Sequence, residues 1–173
     1  MSLHESLLHP ERLADLRETA LLDTLPEDSF NRYIRLGRAF IDAPVLLISL
    51  VDADRQYFKG HHGLPDLVAA SCQTPLSHSF CQHVVHSGDP LVISDARRDP
   101  LVKDNPAVTD LGVIAYLGIP LRSRNRHVLG SFCVLDSKPR IWIDQDIRIM
   151  TDLADAISTE IQLRALTQPP PGL

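Results

Sequence analysis

The segment that most constrains the fold is the unbroken apolar run VLLISLV at residues 45–51. Its length suits a strand better than a helix, and it is rich in residues that favour strands. A strand without polar alternation has to be covered on both faces, because neither face carries side chains that water would solvate. We therefore predict a central strand with one layer of structure above it and another below.

The rest of the chain alternates between helix and strand periods. Leu13, Leu16 and Ala20 lie at helical spacing, and a capping box of Thr24 and Glu27 predicts the start of a second helix. Hairpins imply an antiparallel sheet and terminal helices imply a layer on one face, so the predicted class is α+β. The predicted strands cover residues 45–51, 56–61, 91–94, 114–121 and 128–135, and the later predicted elements are a loop at 62–76 and helices at 77–86 and 144–164.

Length, charge and cysteine content narrow the class of protein. The 173 residues predict one domain over 11–165, with an N-terminal extension over 1–10 and a disordered tail over 166–173. The net charge of −5 and the scattered basic residues predict no nucleic-acid partner. No apolar run approaches the ~20 residues of a membrane helix, so we expect no membrane association. Three cysteines without a CxxC pair predict a cytoplasmic location.

The segment SHSFCQHVVH at residues 77–86 concentrates chemically active side chains. On a helix, His78 and Cys81 lie close together on one side. His83 and His86 lie roughly 100° or more around the helix from that pair. The four side chains therefore cannot converge on one tetrahedral ion. Each pair could share an ion only with ligands from outside the segment, and no spacing selects such ligands, so we expect no metal site. Haem and iron–sulfur spacings are missing, so we also expect no cofactor.

The same segment allows two further interpretations. His78 lies three residues before Cys81 and could lower the pKa of a catalytic thiol, although Phe80 and Val84 favour a buried structural cysteine. Alternatively, its apolar residues close a cavity against the sheet, where a few polar groups would orient a ligand. Asp95 and Asp99 are candidates for such polar groups, although each could instead form a turn or cap a helix. The candidate ligand-binding residues are Phe80, Cys81, Val84, Asp95, Asp99, Tyr116 and Cys133.

Seven segments in succession resemble the GAF domain: LLDTLPEDSFNR, SLVDADRQYFKG, SHSFCQHVV, VISDARRDP, DNPAV, YLGIPL and LGSFCVLDSKPR. More narrowly, they resemble the subgroup found in bacterial sensor histidine kinases and diguanylate cyclases. The resemblance implies one antiparallel sheet of about six strands, with the N- and C-terminal helices on one face. It also implies that loops and short helices enclose a ligand pocket on the other face.

The resemblance further implies homodimers that form through the terminal helices. Independently of the resemblance, the last predicted helix carries apolar residues at alternating intervals of three and four residues. This spacing is close to the heptad repeat of a coiled coil. The predicted dimer interface consists of Leu16, Met150, Leu153, Ile157 and Ile161.

Four departures from related subgroups bear on the ligand. Tyr57 stands where the subgroup often has Trp, and Leu76 stands where it often has an Arg, which weakens the case for an anionic ligand. Gln82 follows Cys81 where bilin-carrying domains have His, so a covalent chromophore is disfavoured. The asparagine–lysine motif of cyclic-nucleotide-binding members is missing, and cyclic AMP and cyclic GMP are therefore disfavoured.

These features favour a small-molecule-sensing regulatory module of bacterial signal transduction without catalysis of its own. Its output domain, of kinase or cyclase type, would be fused or supplied in trans. One alternative is an enzyme, because some GAF-fold proteins reduce free methionine sulfoxide and Cys72 and Cys81 are candidate thiols. The glycine-rich stretch of those enzymes is not visible. The other alternative is a purely structural dimerisation unit with a collapsed pocket.

Overall fold

The computed structural model describes residues 1–168 of the chain. Within this range, no helix combines the length and the apolar character that crossing a membrane requires. The helices are α1 (Leu3–Leu7), α2 (Pro10–Glu18), α3 (Asp28–Phe40), α4 (Asp66–Ser71), α5 (Cys81–Ser87), α6 (Pro106–Asp110) and α7 (Asp144–Thr167). The strands are β1 (Val45–Val51), β2 (Arg55–His62), β3 (Gln73–Pro75), β4 (Leu91–Ile93), β5 (Ala115–Arg122) and β6 (Val128–Asp136).

The strands form one antiparallel sheet in the order β3-β2-β1-β6-β5-β4. The apolar run VLLISLV is β1, and it lies between β2 and β6. Residues 46–51 of this strand are buried, and so is every residue of β6. The structure thus confirms both the predicted α+β class and the central strand that is covered on its two faces.

One face of the sheet carries the longer helices α2, α3 and α7. Their apolar side chains, including Leu16 of α2 and Phe30 of α3, pack with Leu46 and Phe132 from the two central strands. Helix α3 comes close to the sheet at Gly37, where a Cβ atom would lie 2.5 Å from a methyl carbon of Leu46. Long amphipathic helices therefore build a dense core on this face.

The opposite face is covered by the short helices α1, α4, α5 and α6 and by the segments that join them. Cys81 and Val84 of α5 pack there with Phe58 of β2. Helix α1 lies against α5: Leu7 is buried in the same core, and Ser6 Oγ is 2.8 Å from His86 Nδ1. Short helices separated by turns leave space above the sheet, and the candidate site lies in that space.

The predicted helix start at Thr24 is wrong, because α3 begins at Asp28 with Glu27 as its N-cap. The Thr24 hydroxyl donates to the Leu21 carbonyl and accepts a hydrogen bond from Lys59 Nζ at 2.7 Å. Glu27 Oε2 lies 2.5 Å from the same ammonium group. The Lys59 side chain is almost fully buried, and a buried charge requires such partners. Thr24 and Glu27 therefore bind the ammonium group of Lys59 and do not form the predicted capping box.

The segment 62–76, predicted to be a loop, contains helix α4 and the edge strand β3. Helix α4 ends at Ser71 and is capped by Cys72, which adopts the left-handed conformation at φ 53°. The predicted helix over 77–86 is shorter than expected: a 3-10 turn at Leu76–His78 precedes α5, which begins only at Cys81.

The two ends of the chain contribute to the fold. The predicted N-terminal extension holds α1, and the buried Arg12 ties it to the sheet by donating to the carbonyls of Leu7 and Val51. At the other end, residues 166 and 167 belong to α7, although a disordered tail was predicted over 166–173. The part of that tail at 169–173 lies outside the described residues.

Four of the five predicted dimer residues lie inside the chain's own core. Leu16, Met150 and Ile157 have no exposed surface, and Ile161 is 1% exposed. The seam on α7 packs against β5 and β6 of the same chain, so its spacing reflects packing on a sheet. The assignment of these four side chains to a dimer interface is corrected accordingly, while Leu153 remains partly exposed and the dimer itself stays a prediction.

We expect the variant Ile157→Ala to lose about 2–5 kcal/mol of unfolding free energy, because it empties a fully buried position. The control Leu163→Ala lies on the exposed side of the same helix and should change this free energy by less than about 0.5 kcal/mol. Urea denaturation measures both values. If Ile157→Ala kept the wild-type unfolding free energy, its placement in the core would be wrong.

Candidate functional site

A cavity of about 260 Å³ lies between the sheet and the layer of short helices. Strands β1, β2, β5 and β6 form its floor, while α4, α5 and α6 form its walls. Most of its surface is apolar, with Leu47 and Phe58 on the floor and Val68 and Val113 at the sides. The short helices predicted to enclose a pocket thus do so on the face that the resemblance implies.

Four of the seven predicted ligand-binding residues line this cavity. They are Phe80 and Cys81 at the start of α5, Tyr116 of β5 and Cys133 of β6. Val84 is fully buried one turn further along α5, in the core beside the cavity, and does not line it.

The structure places Asp95 and Asp99 outside the cavity. Asp95 accepts hydrogen bonds from the backbone and the guanidinium of Arg97, and Asp99 accepts one from the Leu101 amide. These contacts are the turn and cap roles that the sequence had left open. Their assignment to the ligand site is therefore corrected.

Cys81 lies at the centre of a buried hydrogen-bonded group. Its Sγ atom accepts hydrogen bonds from the hydroxyls of Tyr116 at 3.2 Å and Ser131 at 3.1 Å. The Sγ atom of Cys133 is 3.9 Å away. Ser131 and Cys133 are two residues apart on β6, so their side chains lie on the same face of the sheet.

The position of the Tyr116 ring depends on Gly118. A Cβ atom at Gly118 would lie 2.3 Å from the Tyr116 hydroxyl oxygen and 2.6 Å from two ring carbons. The two residues are neighbours on one face of β5, and the missing side chain lets the ring lie over the strand. The ring then packs against Phe80 with a centroid separation of 5.4 Å. One glycine thus sets the contact between the strand and α5.

This group shifts the acidity of its members in opposite directions. The hydrogen bond from the Cys133 thiol, followed by those from Ser131 and Tyr116, outweighs burial and lowers the pKa of Cys81. Burial is the main reason why the pKa values of Cys133 and Tyr116 are raised. The arrangement therefore favours a single thiolate, at Cys81, at the wall of the cavity.

The cavity has further polar groups that the sequence did not assign to a ligand site. These groups belong to Gln56, Thr74, His78, Asp136 and Ser137. The Gln56 side chain donates to Thr74 Oγ1 at 2.6 Å and accepts from Ser79 Oγ at 2.8 Å. Residues 56–61 read QYFKGH, which has no regular apolar–polar alternation, so the sequence gives no signal for Gln56 and none for Thr74 in the loop-like segment 62–76.

The lining contains no lysine or arginine among the described residues. Its carboxylate, Asp136, is 6% exposed and lies 3.4 Å from Arg140 Nη1. His78 Nε2 is 2.8 Å from an oxygen of Asp110, so the imidazole is already paired with a carboxylate. The described lining therefore offers no lysine or arginine with which to hold an anion.

The histidines of residues 77–86 do not converge on one point. His78 pairs with Asp110, and His86 pairs with Ser6, whereas Cys81 faces Tyr116 and Ser131. Each of these side chains is directed to a different element. A metal site formed by this segment is not supported by the geometry.

The thiols are divided between the two faces of the sheet. Cys72 packs against the core under the long helices, where its Sγ atom is 3.9 Å from His61 Nε2. Cys81 and Cys133 belong to the opposite core. A disulfide between Cys72 and Cys81 would have to cross the sheet, and within residues 1–168 the imidazoles show no hydrogen bond to Cys81.

The comparison with protein families identifies the class. The model of the GAF domain matches residues 26–161, which is most of the chain, and the chain belongs to the GAF family. A cyclic di-GMP phosphodiesterase of Pseudomonas aeruginosa is 30% identical over 152 residues, which cover 87% of this chain. Those residues are 25% of that protein, so the chain spans about a quarter of the length of this curated relative.

Solved structures show the same fold at low identity. The GAF domain from the Acinetobacter phosphoenolpyruvate-protein phosphotransferase has a TM-score of 0.69 at 17% identity, covering 93% of this chain and 98% of that domain. The type II free methionine-R-sulfoxide reductase from Thermoplasma acidophilum has a TM-score of 0.59 at 12% identity, covering 75% and 86%. A domain of a phosphotransferase and a reductase thus share this architecture.

We expect Cys133→Ala to raise the pKa of Cys81, because it removes the donor that contributes most to stabilising the Cys81 thiolate. The pH midpoint of the Cys81 Cβ resonance, followed by NMR of protein labelled with ¹³C-cysteine, should then shift upward, and this readout needs no reagent to reach the enclosed sulfur. Cys72→Ser is the matched control and should leave the midpoint unchanged, since Cys72 lies on the other face. An unshifted midpoint in Cys133→Ala would contradict the described hydrogen-bonded group.

Proposed function

We propose that the chain is a small-molecule-sensing regulatory module of bacterial signal transduction, with no catalysis of its own. The observation that carries the proposal is the apolar cavity between the sheet and α5, which is open space of ligand size and not filled by side chains. This cavity is what distinguishes a sensing domain from a purely structural unit with a collapsed pocket. The module would act in the cytoplasm.

The lining of the cavity indicates the chemistry of its ligand. A small, mainly apolar molecule without negative charge suits walls that carry aliphatic and aromatic side chains and no basic residue. The amide of Gln56 and the hydroxyl of Thr74 would orient a polar group of that molecule. The thiol of Cys81 would lie beside it.

Two routes connect the cavity to the ends of the chain. Helix α5 contacts α1 through Ser6 and His86, which link the cavity wall to the N-terminal helices. Strand β5 contacts α7, where the Arg122 amide donates to Ser158 Oγ at 3.0 Å. A ligand that binds one arrangement of these helices more tightly than another would shift the balance between the two arrangements.

In this proposal the module controls a kinase, cyclase or phosphodiesterase type of output, fused to it or supplied in trans. The relative from Pseudomonas aeruginosa is a cyclic di-GMP phosphodiesterase, and the present chain spans only a quarter of it. The remainder of such a protein has the room for an output domain.

A homodimer through the terminal helices is part of the proposal. The buried apolar residues of α7 pack in the core of the monomer. The dimer would therefore use the outer surfaces of α3 and α7. These surfaces expose the large apolar side chains of Leu36, Phe40, Leu163 and Leu166. Apolar side chains in such positions are the usual material of subunit contacts.

The second candidate function is reduction of free methionine sulfoxide. The fold likeness to reductases of that class and the lowered pKa of Cys81 favour it. The separation of Cys72 from Cys81 by the sheet removes the resolving pair that the sequence had suggested. Cys133, at 3.9 Å, is the thiol that remains within reach of Cys81.

The uncharged fluorophore N-phenyl-1-naphthylamine should bind in the cavity with an increase in fluorescence. Its sulfonated relative, 8-anilinonaphthalene-1-sulfonate, should bind at least tenfold more weakly, because the lining has no basic residue. Val113→Trp should abolish the increase by filling the cavity, whereas the control Val92→Trp, on an exposed edge strand, should preserve it. Equal binding of both probes, or binding that survives Val113→Trp, would refute the proposed site.

The protein should show no turnover of free methionine sulfoxide when a dithiol reductant is supplied. Oxidation of the reductant, measured with the wild type and with Cys81→Ser, decides between the two candidate functions. Turnover by the wild type that disappears in Cys81→Ser would replace the sensory proposal with the enzymatic one.

A further inference from the structure

A second group of chemically active side chains lies away from the cavity, where the start of α2 meets the β5–β6 hairpin. His9, Glu11 and His127 each offer one ligand atom there, and these atoms lie within 4.8 Å of one another. We propose that this group, called here the histidine site, binds a divalent transition-metal ion of the Zn²⁺ type. The proposal does not depend on the sensory function.

The orientation of His127 is set by Asp15. His127 Nδ1 lies 2.8 Å from Asp15 Oδ2, and the carboxylate also accepts hydrogen bonds from Ser123 and Asn125. A hydroxyl and an amide already donate to this carboxylate, so it is the hydrogen-bond acceptor for the imidazole. His127 therefore donates from Nδ1, and its Nε2 lone pair remains available.

A histidine held by a carboxylate through one nitrogen is the arrangement that metal-binding histidines use. The carboxylate selects the tautomer, orients the ring and makes the free nitrogen a better ligand. Asp15 is well placed for this role because its side chain is only 8% exposed. Its partner His127 is 25% exposed, which leaves the ring edge open to an ion from solvent.

The free nitrogen of His127 faces Glu11. His127 Nε2 is 3.7 Å from Glu11 Oε2, which is too long for a hydrogen bond. Two ligands of one tetrahedral ion with bonds of about 2.0–2.2 Å lie roughly 3.3–3.5 Å apart. The observed separation is therefore close to the spacing that two ligands of one zinc ion require.

His9 completes the set from the residue that precedes α2. Its ring centroid lies 5.6 Å from that of His127, with the two rings tilted by 40°. Within the described residues, His9 Nδ1 is shielded from solvent and has no hydrogen-bond partner. A shielded nitrogen without a partner is unfavourable, and coordination of an ion through this atom would remove that penalty.

Two imidazoles and one carboxylate match the ligand preference of Zn²⁺, with a water molecule in the fourth position. Ca²⁺ and Mg²⁺ prefer oxygen ligands and do not suit this set. The ion would join the start of α2 to the β5–β6 hairpin, two segments that are far apart in the sequence. It would thereby fix the N-terminal helices, which contact the cavity wall through α1 and α5.

Isothermal titration of the tag-free protein with ZnCl₂ tests the proposal. The wild type should bind one ion, and Co²⁺ in its place should give the visible absorption of a tetrahedral nitrogen and oxygen site. His9→Gln and Glu11→Gln should each weaken Zn²⁺ binding at least tenfold. Both positions are at the surface end of α2, and thermal unfolding without metal should show that the two variants remain folded.

His4→Gln is the matched control, because it removes an exposed histidine from the same end of the chain outside the histidine site. This variant should bind Zn²⁺ as tightly as the wild type. Zn²⁺ binding that persists unchanged in both His9→Gln and Glu11→Gln would assign the ion to another place, such as Cys72 with His61, and would overturn the proposal. Absence of Zn²⁺ binding by the wild type would overturn it as well.

Discussion

The structure depends on the pairing of two apolar strands, β1 and β6, at the centre of the sheet. Both strands are buried along almost their whole length, so each face of the sheet must be covered. The two covers differ in kind. Long helices pack densely on one face, whereas short helices and turns span the other, and the second cover leaves a cavity. The candidate site is thus a consequence of uneven coverage of a doubly apolar sheet.

Within the second layer, polar chemistry is concentrated around one thiol. Gly118 admits the Tyr116 ring, and the ring brings its hydroxyl to Cys81 together with that of Ser131. The group is almost completely enclosed and its hydrogen bonds are satisfied, so it fixes α5 against β5 and β6. Such a rigid wall suits recognition of a small molecule. The hydrogen bonds of this group also explain how the buried thiol of Cys81 acquires a lowered pKa without a histidine beside it.

Much of the architecture could be predicted from the sequence, because long apolar runs and hairpins have clear periods. The strand at 45–51, the hairpin of β5 and β6, and the last helix are examples. Helix α4 and strand β3 were missed, since elements of six and three residues are too short to display a period. The capping box at Thr24 failed because the buried ammonium of Lys59 uses both of its side chains.

The site was predictable only in part, for a physical reason. A pattern shows which residues are apolar, and that was sufficient for Phe80, Tyr116 and the two buried cysteines. It does not show which way a turn directs a carboxylate, so Asp95 and Asp99 were misplaced. Likewise, apolar residues have the same spacing in a coiled coil and in a helix that packs on a sheet. Ile157 packs on the sheet. His9 and His127 escaped notice because only the fold brings them together.

The most direct test of the central claim is X-ray diffraction from crystals of this protein held under xenon pressure. Apolar cavities that stay free of ordered water take up xenon, which its anomalous scattering reveals. We predict a xenon atom in the cavity beside Phe80 and Cys133. No xenon at that place, with side chains of α4 and α5 occupying the space above the sheet, would contradict the existence of a ligand site there.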